Sequence, residues 1–168
     1  LILKRMKRRH LRKDAIAFCE AARKVRPEIT FGADIIAGFP TETEEHFQET
    51  CNLIQNIGFD DGYSFIYSKR PGTPASFETD NVSLDEKKKR LSKIQELIRN
   101  NSEIYLSKLV NSDQQVLVEG VSKKNNTELY GRTNTNKTVH FKAPKSLIGK
   151  CINLHISKAN RSSLIGVL

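Results

Sequence analysis

Cysteine is scarce in this chain: Cys19, Cys51 and Cys151 are odd in number and far apart among 168 residues. That excludes a disulfide framework, points to a reducing compartment, and offers no metal site by spacing. Cys19 and Cys51 fall on the apolar faces of predicted helices, where a thiol serves as a small buried hydrophobe. Long hydrophobic runs are also missing. The opening Leu1-Ile-Leu-Lys-Arg-Met-Lys-Arg-Arg-His10 is broken by charge, so it makes neither a signal peptide nor a membrane span. With no initiator Met at Leu1, the chain reads as a piece of something longer, soluble and cytoplasmic. There is no internal repeat and no low-complexity segment. No nucleophile-His-acid set is present, and Gly38 to Thr43 lacks the Lys-Ser/Thr of a phosphate loop, which leaves a hydrolytic βα barrel without its chemistry.

Acidic residues are in deficit too. The 28 Lys and Arg against 19 Asp and Glu give a net charge of +9, with a pI of about 9.6. Residues 111–168 hold nine cations against three acids, for +6, while residues 1–110 hold nineteen against sixteen, for +3. The tail is therefore the basic part, which suits phosphate contacts as well as a solvated surface. A length of 168 residues leaves room for one ordinary domain or one and a half small ones, with a real core.

The most informative stretch runs from Phe31 to Phe47, where an apolar strand, a Gly38-Phe-Pro40 turn and a helix start follow one another. Ala33 to Ala37 has no turn former and only Asp34 as a charge, the pattern of a parallel strand covered on both faces. Thr41 with Glu44 three residues on predicts a capping box, so a helix begins at the strand's carboxyl end, where parallel α/β folds place ligands.

Around it the chain alternates helix and strand. Leu11, Ala15, Phe18, Cys19, Ala22 and Val25 recur at helical spacing up to Pro27, and a strand over 29–36 follows. A helix over 42–56 with Phe47, Cys51 and Ile54 on one face ends at Gly58. Phe59, Asp61, Tyr63, Phe65 and Tyr67 then alternate as a second strand, with the aromatics read as core, and Pro71-Gly-Thr-Pro74 breaks it. That rhythm implies a parallel sheet with crossover helices. Ser83 with Glu86 caps a long helix to about Lys108, with Leu91, Ile94, Ile98, Tyr105 and Leu109 inward and Lys87 to Arg90 on a solvated face.

After residue 110 the rhythm changes to short strands over 115–119, 128–133, 138–141, 151–157 and 163–168, which predict a small closed barrel of the OB type. The fold class is thus α/β followed by all-β, with residues 1–105 as one domain and 106–168 as the other. Lys123, Lys124, Arg132, Asn134, Asn136, Lys137 and Lys142 cluster around two turns of that barrel, with Tyr130 and Phe141 as stacking faces. His140 and His155 alternate on strands without partners at ligand spacing, as ordinary strand residues do.

Four segments in order, Leu3-Lys-Arg-Met-Lys-Arg-Arg-His10, Asp34-Ile-Ile-Ala-Gly-Phe-Pro-Thr-Glu-Thr-Glu-Glu45, Phe65-Ile-Tyr-Ser-Lys-Arg-Pro-Gly-Thr-Pro-Ala75 and Gly131-Arg-Thr-Asn-Thr-Asn-Lys137, closely resemble the radical S-adenosylmethionine methylthiotransferases. The resemblance covers essentially the whole chain. It implies the later part of a radical SAM (βα) partial barrel, then a five-stranded OB-like TRAM domain. Among the branches, these segments look most like the one that methylthiolates isopentenyladenosine beside the tRNA anticodon. Branches acting on threonylcarbamoyladenosine tRNA or on a ribosomal-protein aspartate are the alternatives, and the aspartate branch usually has an acidic pair where Arg70-Pro71 stands. The family commonly has Gly at the position of Thr41.

The family resemblance implies S-adenosylmethionine and two 4Fe-4S clusters as cofactors. The tRNA anticodon stem-loop and an electron donor are the implied partners, with the protein acting as a monomer beside its missing N-terminal portion. No residue here matches a cluster ligand or a catalytic residue, so the chain alone is expected to be inactive. By position, Arg9, Ile35, Ile36, Gly38 and Tyr67 would bind the cofactor, with Gly38 allowing close approach and Arg9 meeting a carboxylate or a phosphate. Arg70 and Thr73 would border the substrate adenosine, and Lys123, Lys124, Arg132, Asn136, Lys137 and Lys142 would bind tRNA. The other class of reading is a free-standing, non-catalytic RNA-binding module with the βα part as scaffold.

Two or three strands cannot close a barrel, so residues 1–75 alone should be poorly folded while residues 111–168 fold independently. Native-state hydrogen exchange on the two pieces is expected to show strong protection only in the second.

Overall fold

Two features of the sequence, helical stripes before residue 110 and period-2 alternation after it, become two separate units, residues 1–101 and 102–168. The computed structural model describes residues 1–123 and 125–168. The predicted tRNA contact Lys124 lies outside the described residues.

The first unit runs α1 (Ile2–Arg5), α2 (Arg12–Val25), β1 (Ile35–Ala37), α3 (Glu44–Ile57), β2 (Ser64–Ile66), a 3-10 turn at Pro74–Phe77, and most of α4 (Leu84–Lys108). β1 and β2 pair in parallel, Ile36 opposite Phe65, with a further parallel bridge between Gly32 and Asp61. The strand expected over 29–36 is therefore confined to its end. Gly62 sits at φ 140°, and a Cβ there would lie 2.0 Å from the Ala33 carbonyl oxygen, so the chains approach too closely for a regular ladder upstream.

One face of this pair packs on the helices through a core of Cys19, Ala37, Phe47, Cys51, Ile54, Ile57, Phe59, Ile94 and Leu97. The other face is open, which corrects two expectations. The strand is not covered on both sides, and Tyr63 and Phe65 are not core: they are 71% and 54% exposed and stack on each other at 6.3 Å. Their period-2 pattern reports a face that could be buried, and nothing among the described residues buries it. Phe18 and Val25 on α2 are exposed for the same reason, since α2 turns only Ala15, Ile16 and Cys19 toward the core.

α3 starts two residues later than the Thr41/Glu44 pair predicted. Thr43 is the cap: its hydroxyl accepts from the His46 amide at 3.3 Å, and the His46 ring answers at the Thr43 amide. Thr41 cannot cap because its φ is 67° and its amide is taken by Asn81 Oδ1 at 2.8 Å. Gly58, left-handed at φ 70°, ends α3 as expected. The capping of α4 by Ser83 is also observed, with Glu86 N 3.2 Å from its hydroxyl.

The second unit is a closed barrel. β3 (Asp113–Val121), β4 (Leu129–Thr133), β5 (Thr138–Phe141), β6 (Cys151–Ala159) and β7 (Leu164–Val167) follow the order β3-β4-β5-β7-β6. All contacts are antiparallel except β5 with β7. Alternation puts Val116, Val118, Leu129, Val139, Phe141, Leu154, Ile156 and Leu164 inside, and Leu106 from the last turns of α4 joins them. Phe141, 2% exposed, is thus a core residue and not a stacking face. Register shifts at Val118/Gly120 and Ile156/Lys158 mark bulges, which add the twist a small barrel needs to close.

Gly131 makes a sharp test of that closure, because a Cβ there would lie 2.3 Å from the Leu117 carbonyl oxygen and 2.6 Å from Val116 Cγ1. Gly131→Ala is expected to destabilise the barrel by about 1–3 kcal/mol in denaturant titrations, as overpacking does.

Candidate functional site

Two places gather chemistry, and each is built within one unit. In the first unit it is the loop after β1, residues 38–41. Gly38 and Thr41 both have left-handed backbones, at φ 70° and 67°, a conformation that costs a β-branched residue free energy and persists only where its surroundings impose it. The surroundings are polar. Gly38 N donates to Glu42 Oε2 at 2.9 Å, Arg5 donates to the Thr41 hydroxyl, and Asn81 accepts from the Thr41 amide.

Beneath the loop lies a buried ion pair. Arg90 Nη1 is 2.8 Å from Glu42 Oε2 and 3.0 Å from the Glu42 carbonyl oxygen, with both side chains less than a tenth exposed. Glu86 and Glu44 also take the guanidinium, at 3.0 and 3.4 Å, and it lies 5.3 Å from the Phe47 ring centroid. Burial works against its charge, but hydrogen bonds to Glu42 and Glu86 more than offset it and hold the Arg90 pKa above its ordinary value.

Lys87, one turn earlier, pairs with Asp80 and lies 5.4 Å from the Tyr67 ring. These two cations correct the expectation of a solvated Lys87 to Arg90 face. The signal was present in the sequence: 87, 90, 91, 94 and 97 form one helical stripe, so the cations share the buried face of Ile94 and Leu97.

The expected cofactor residues partly converge here. Ile35 and Ile36 form β1, and Ile36 lies on the open face beside Phe65. Tyr67 donates its amide to the Ala37 carbonyl oxygen at 2.9 Å and its hydroxyl to that of Ala75 at 3.1 Å, and meets Phe39 edge-on. The room beside Gly38 is occupied, since a Cβ there would lie 2.2 Å from Lys87 Cγ. Arg9 is exposed between α1 and α2, and Arg70 and Thr73 are exposed in the turn after β2, where the Thr73 hydroxyl bonds the Arg70 carbonyl oxygen at 2.8 Å.

The cysteines do not fit an iron–sulfur cluster. Cys19 and Cys51 are core residues whose thiols burial pushes up, partly offset by Arg23 and Lys93 respectively, and Cys151 is exposed on the barrel. Among the described residues no group of His, Cys, Asp and Glu is placed to hold a metal ion. His155 instead bonds Asp113 at 2.9 Å.

The second place is the β4–β5 hairpin. Arg132 is exposed and donates to the Asn136 backbone and side-chain oxygens at 3.3 and 3.1 Å, while its Nε lies 3.4 Å from Glu119. Asn136, at φ 63°, makes the turn. Lys137 is buried, its ammonium 5.3 Å from the Tyr105 ring. Tyr130 is half-buried beside His140 on the outer face of the same strands. Lys123 and Lys142 are exposed, one in the β3–β4 connection and one after β5.

Residues 107–168 match the TRAM domain family. Across 165 residues, 98% of the chain, it is 49% identical to the tRNA-2-methylthio-N(6)-dimethylallyladenosine synthase of Buchnera aphidicola subsp. Baizongia pistaciae, covering 37% of that protein. Synthases of the same name from Vesicomyosocius okutanii and Francisella tularensis subsp. novicida are 46% and 44% identical over 99% of the chain, each covered to 38%. Over nearly its whole length the chain is similar to the C-terminal portion of these synthases, and residues 107–168 belong to the TRAM domain family. It spans little more than a third of the length of these relatives. No helix among the described residues is long and apolar enough to cross a membrane.

The Glu42–Arg90 pair carries a stability test. Arg90→Met alone leaves Glu42 buried without its partner and is expected to cost about 3–5 kcal/mol, whereas Glu42→Leu with Arg90→Met should recover most of that loss in denaturant titrations.

Proposed function

We propose that this chain is the tRNA-holding, cofactor-lining part of an enzyme that adds a methylthio group to C2 of isopentenyladenosine beside the anticodon, acting in the cytoplasm with S-adenosylmethionine and iron–sulfur clusters. The similarity to synthases of that name over nearly the full chain, joined to a basic TRAM domain, is what supports this. In this reading the first unit is the later part of a radical SAM partial barrel, and the open face of β1 and β2 lines its interior. The apolar strip of Ile36 and Phe65 suits an adenine ring, and with Tyr67 and Arg9 it would line a site for S-adenosylmethionine, which would supply the radical chemistry once a cluster outside this chain delivers an electron. Ile35 packs toward the core and Lys87 fills the space beside Gly38, so neither Ile35 nor Gly38 is open to the cofactor. Glu42, Lys87 and Arg90 keep the loop after β1 in place for that contact. Arg70 and Thr73 would border the substrate nucleoside.

The barrel unit holds the RNA. The excess of +6 over residues 111–168 offers phosphate contacts, and Lys123, Lys142 and Arg132 are exposed cations of that stretch. Arg132 is partly neutralised by Glu119 in the free protein.

Titration of the 168-residue chain with a labelled anticodon stem-loop is expected to give binding at low salt that weakens steeply as salt rises. Lys123→Ala and Lys142→Ala should each lower the slope of log K against log salt by about 0.7. Glu119→Gln, which frees Arg132, should tighten binding. Absence of binding at low salt removes the RNA role.

A further inference from the structure

Along residues 132–137 the chain keeps strict alternation through a turn, where alternation ordinarily ends. Arg132, Asn134 and Asn136 are exposed, and Thr133, Thr135 and Lys137 are buried. The buried set is polar, at 5%, 9% and 8% exposure. Burying two hydroxyls and a lysine costs desolvation that an apolar tip would avoid, so this arrangement serves orientation more than stability.

A chain of hydrogen bonds accounts for every buried hydroxyl. Tyr105, in the last turns of α4, donates its hydroxyl to Thr135 Oγ1 at 3.1 Å. Thr135 Oγ1 and Thr133 Oγ1 share a hydrogen at 3.1 Å, and the Lys137 amide donates to Thr133 Oγ1 at 3.0 Å. The Lys137 ammonium lies 5.3 Å from the Tyr105 ring centroid. Tyr105 thus grips the buried side of the turn twice, by its hydroxyl and by its ring. Such networks rigidify when every member is satisfied.

On the solvent side, the gripped turn presents a guanidinium and two carboxamides. Asn134 makes no hydrogen bond with its side chain among the described residues, so both halves of its amide face solvent. A free amide carried on a fixed turn matches the donor–acceptor edge of an unstacked base, which single-stranded loops offer and duplexes do not.

We infer that Tyr105 is a positioning residue for RNA recognition: through Thr135 and Thr133 it fixes the turn so that Asn134 meets a base edge of single-stranded RNA and Arg132 its backbone. This rests on the RNA-binding reading of the barrel. The residue acts through the turn and touches no RNA itself.

The test is a double-mutant cycle on the 168-residue chain with Tyr105→Phe, which keeps the ring over Lys137, and Thr135→Val, which keeps the shape. The probe is a fluorescent RNA hairpin with a seven-nucleotide loop, read by anisotropy, with thermal melting recorded for each variant. Each single variant is expected to weaken binding about threefold to tenfold, the weight of one neutral hydrogen bond, and the pair together no more than either alone. The salt slope should fall by no more than the single backbone contact of Arg132, about 0.7, and melting should be nearly unchanged. Wild-type affinity in Tyr105→Phe, additive losses in the double variant, or losses that track a falling melting temperature would overturn the inference while leaving RNA binding intact. A wild-type chain that fails to bind the hairpin overturns the RNA reading and this inference with it.

Discussion

The Glu42–Arg90 ion pair is the constraint on which the first unit is arranged. Both side chains are almost fully buried, and removing two charges from water costs more than most hydrogen bonds return, so the pair survives only because every neighbour serves it. Glu42 spends one oxygen on both Arg90 and the Gly38 amide. Arg90 reaches two further carboxylates and a carbonyl. The left-handed backbones at Gly38 and Thr41 follow from this, since the loop must turn back over Glu42 within four residues. The helix α3 then starts late, at Glu44, because residues 41 and 42 are engaged elsewhere.

The barrel unit depends on a different economy. Period-2 alternation fills its interior with β-branched and leucine side chains, Gly131 and Gly166 stand where backbone or side chains approach, and among the described residues Ser122 and the hairpin tip depart from an apolar interior. A small barrel with a satisfied polar tip can hold exposed amides and cations in fixed directions, which a mobile turn cannot. The basic excess of this unit therefore has a shape as well as a sign.

Much of this was legible beforehand. The five barrel strands, the long capped helix with Ile94 inward, the stop of α3 at Gly58 and the burial of Cys19 and Cys51 all follow from spacing that each element carries within itself. The misreadings share one cause. Lys87 and Arg90 were read by their charge, although their helical position placed them on the buried stripe, and only Glu42 and Asp80, 48 residues before Arg90 and 7 before Lys87, explain why cations are stable there. Thr41 resembled a cap until its backbone was seen to be left-handed. Tyr63 and Phe65 alternate as core residues do, but alternation says which residues share a face and not whether anything covers it.

By itself, then, the sequence determined local order: the kind of each element, its ends to within a few residues, the basic character of the tail and the family likeness carried by four segments. Tertiary structure decided which polar groups are paired in the interior. The Glu42–Arg90 pair, Lys87 filling the space beside Gly38, and Tyr105 gripping Thr135 all join residues far apart along the chain. The reason is physical. Propensity and periodicity act over a few residues, whereas the cost of burying a charge or a hydroxyl is settled only when its partner arrives from elsewhere in the fold.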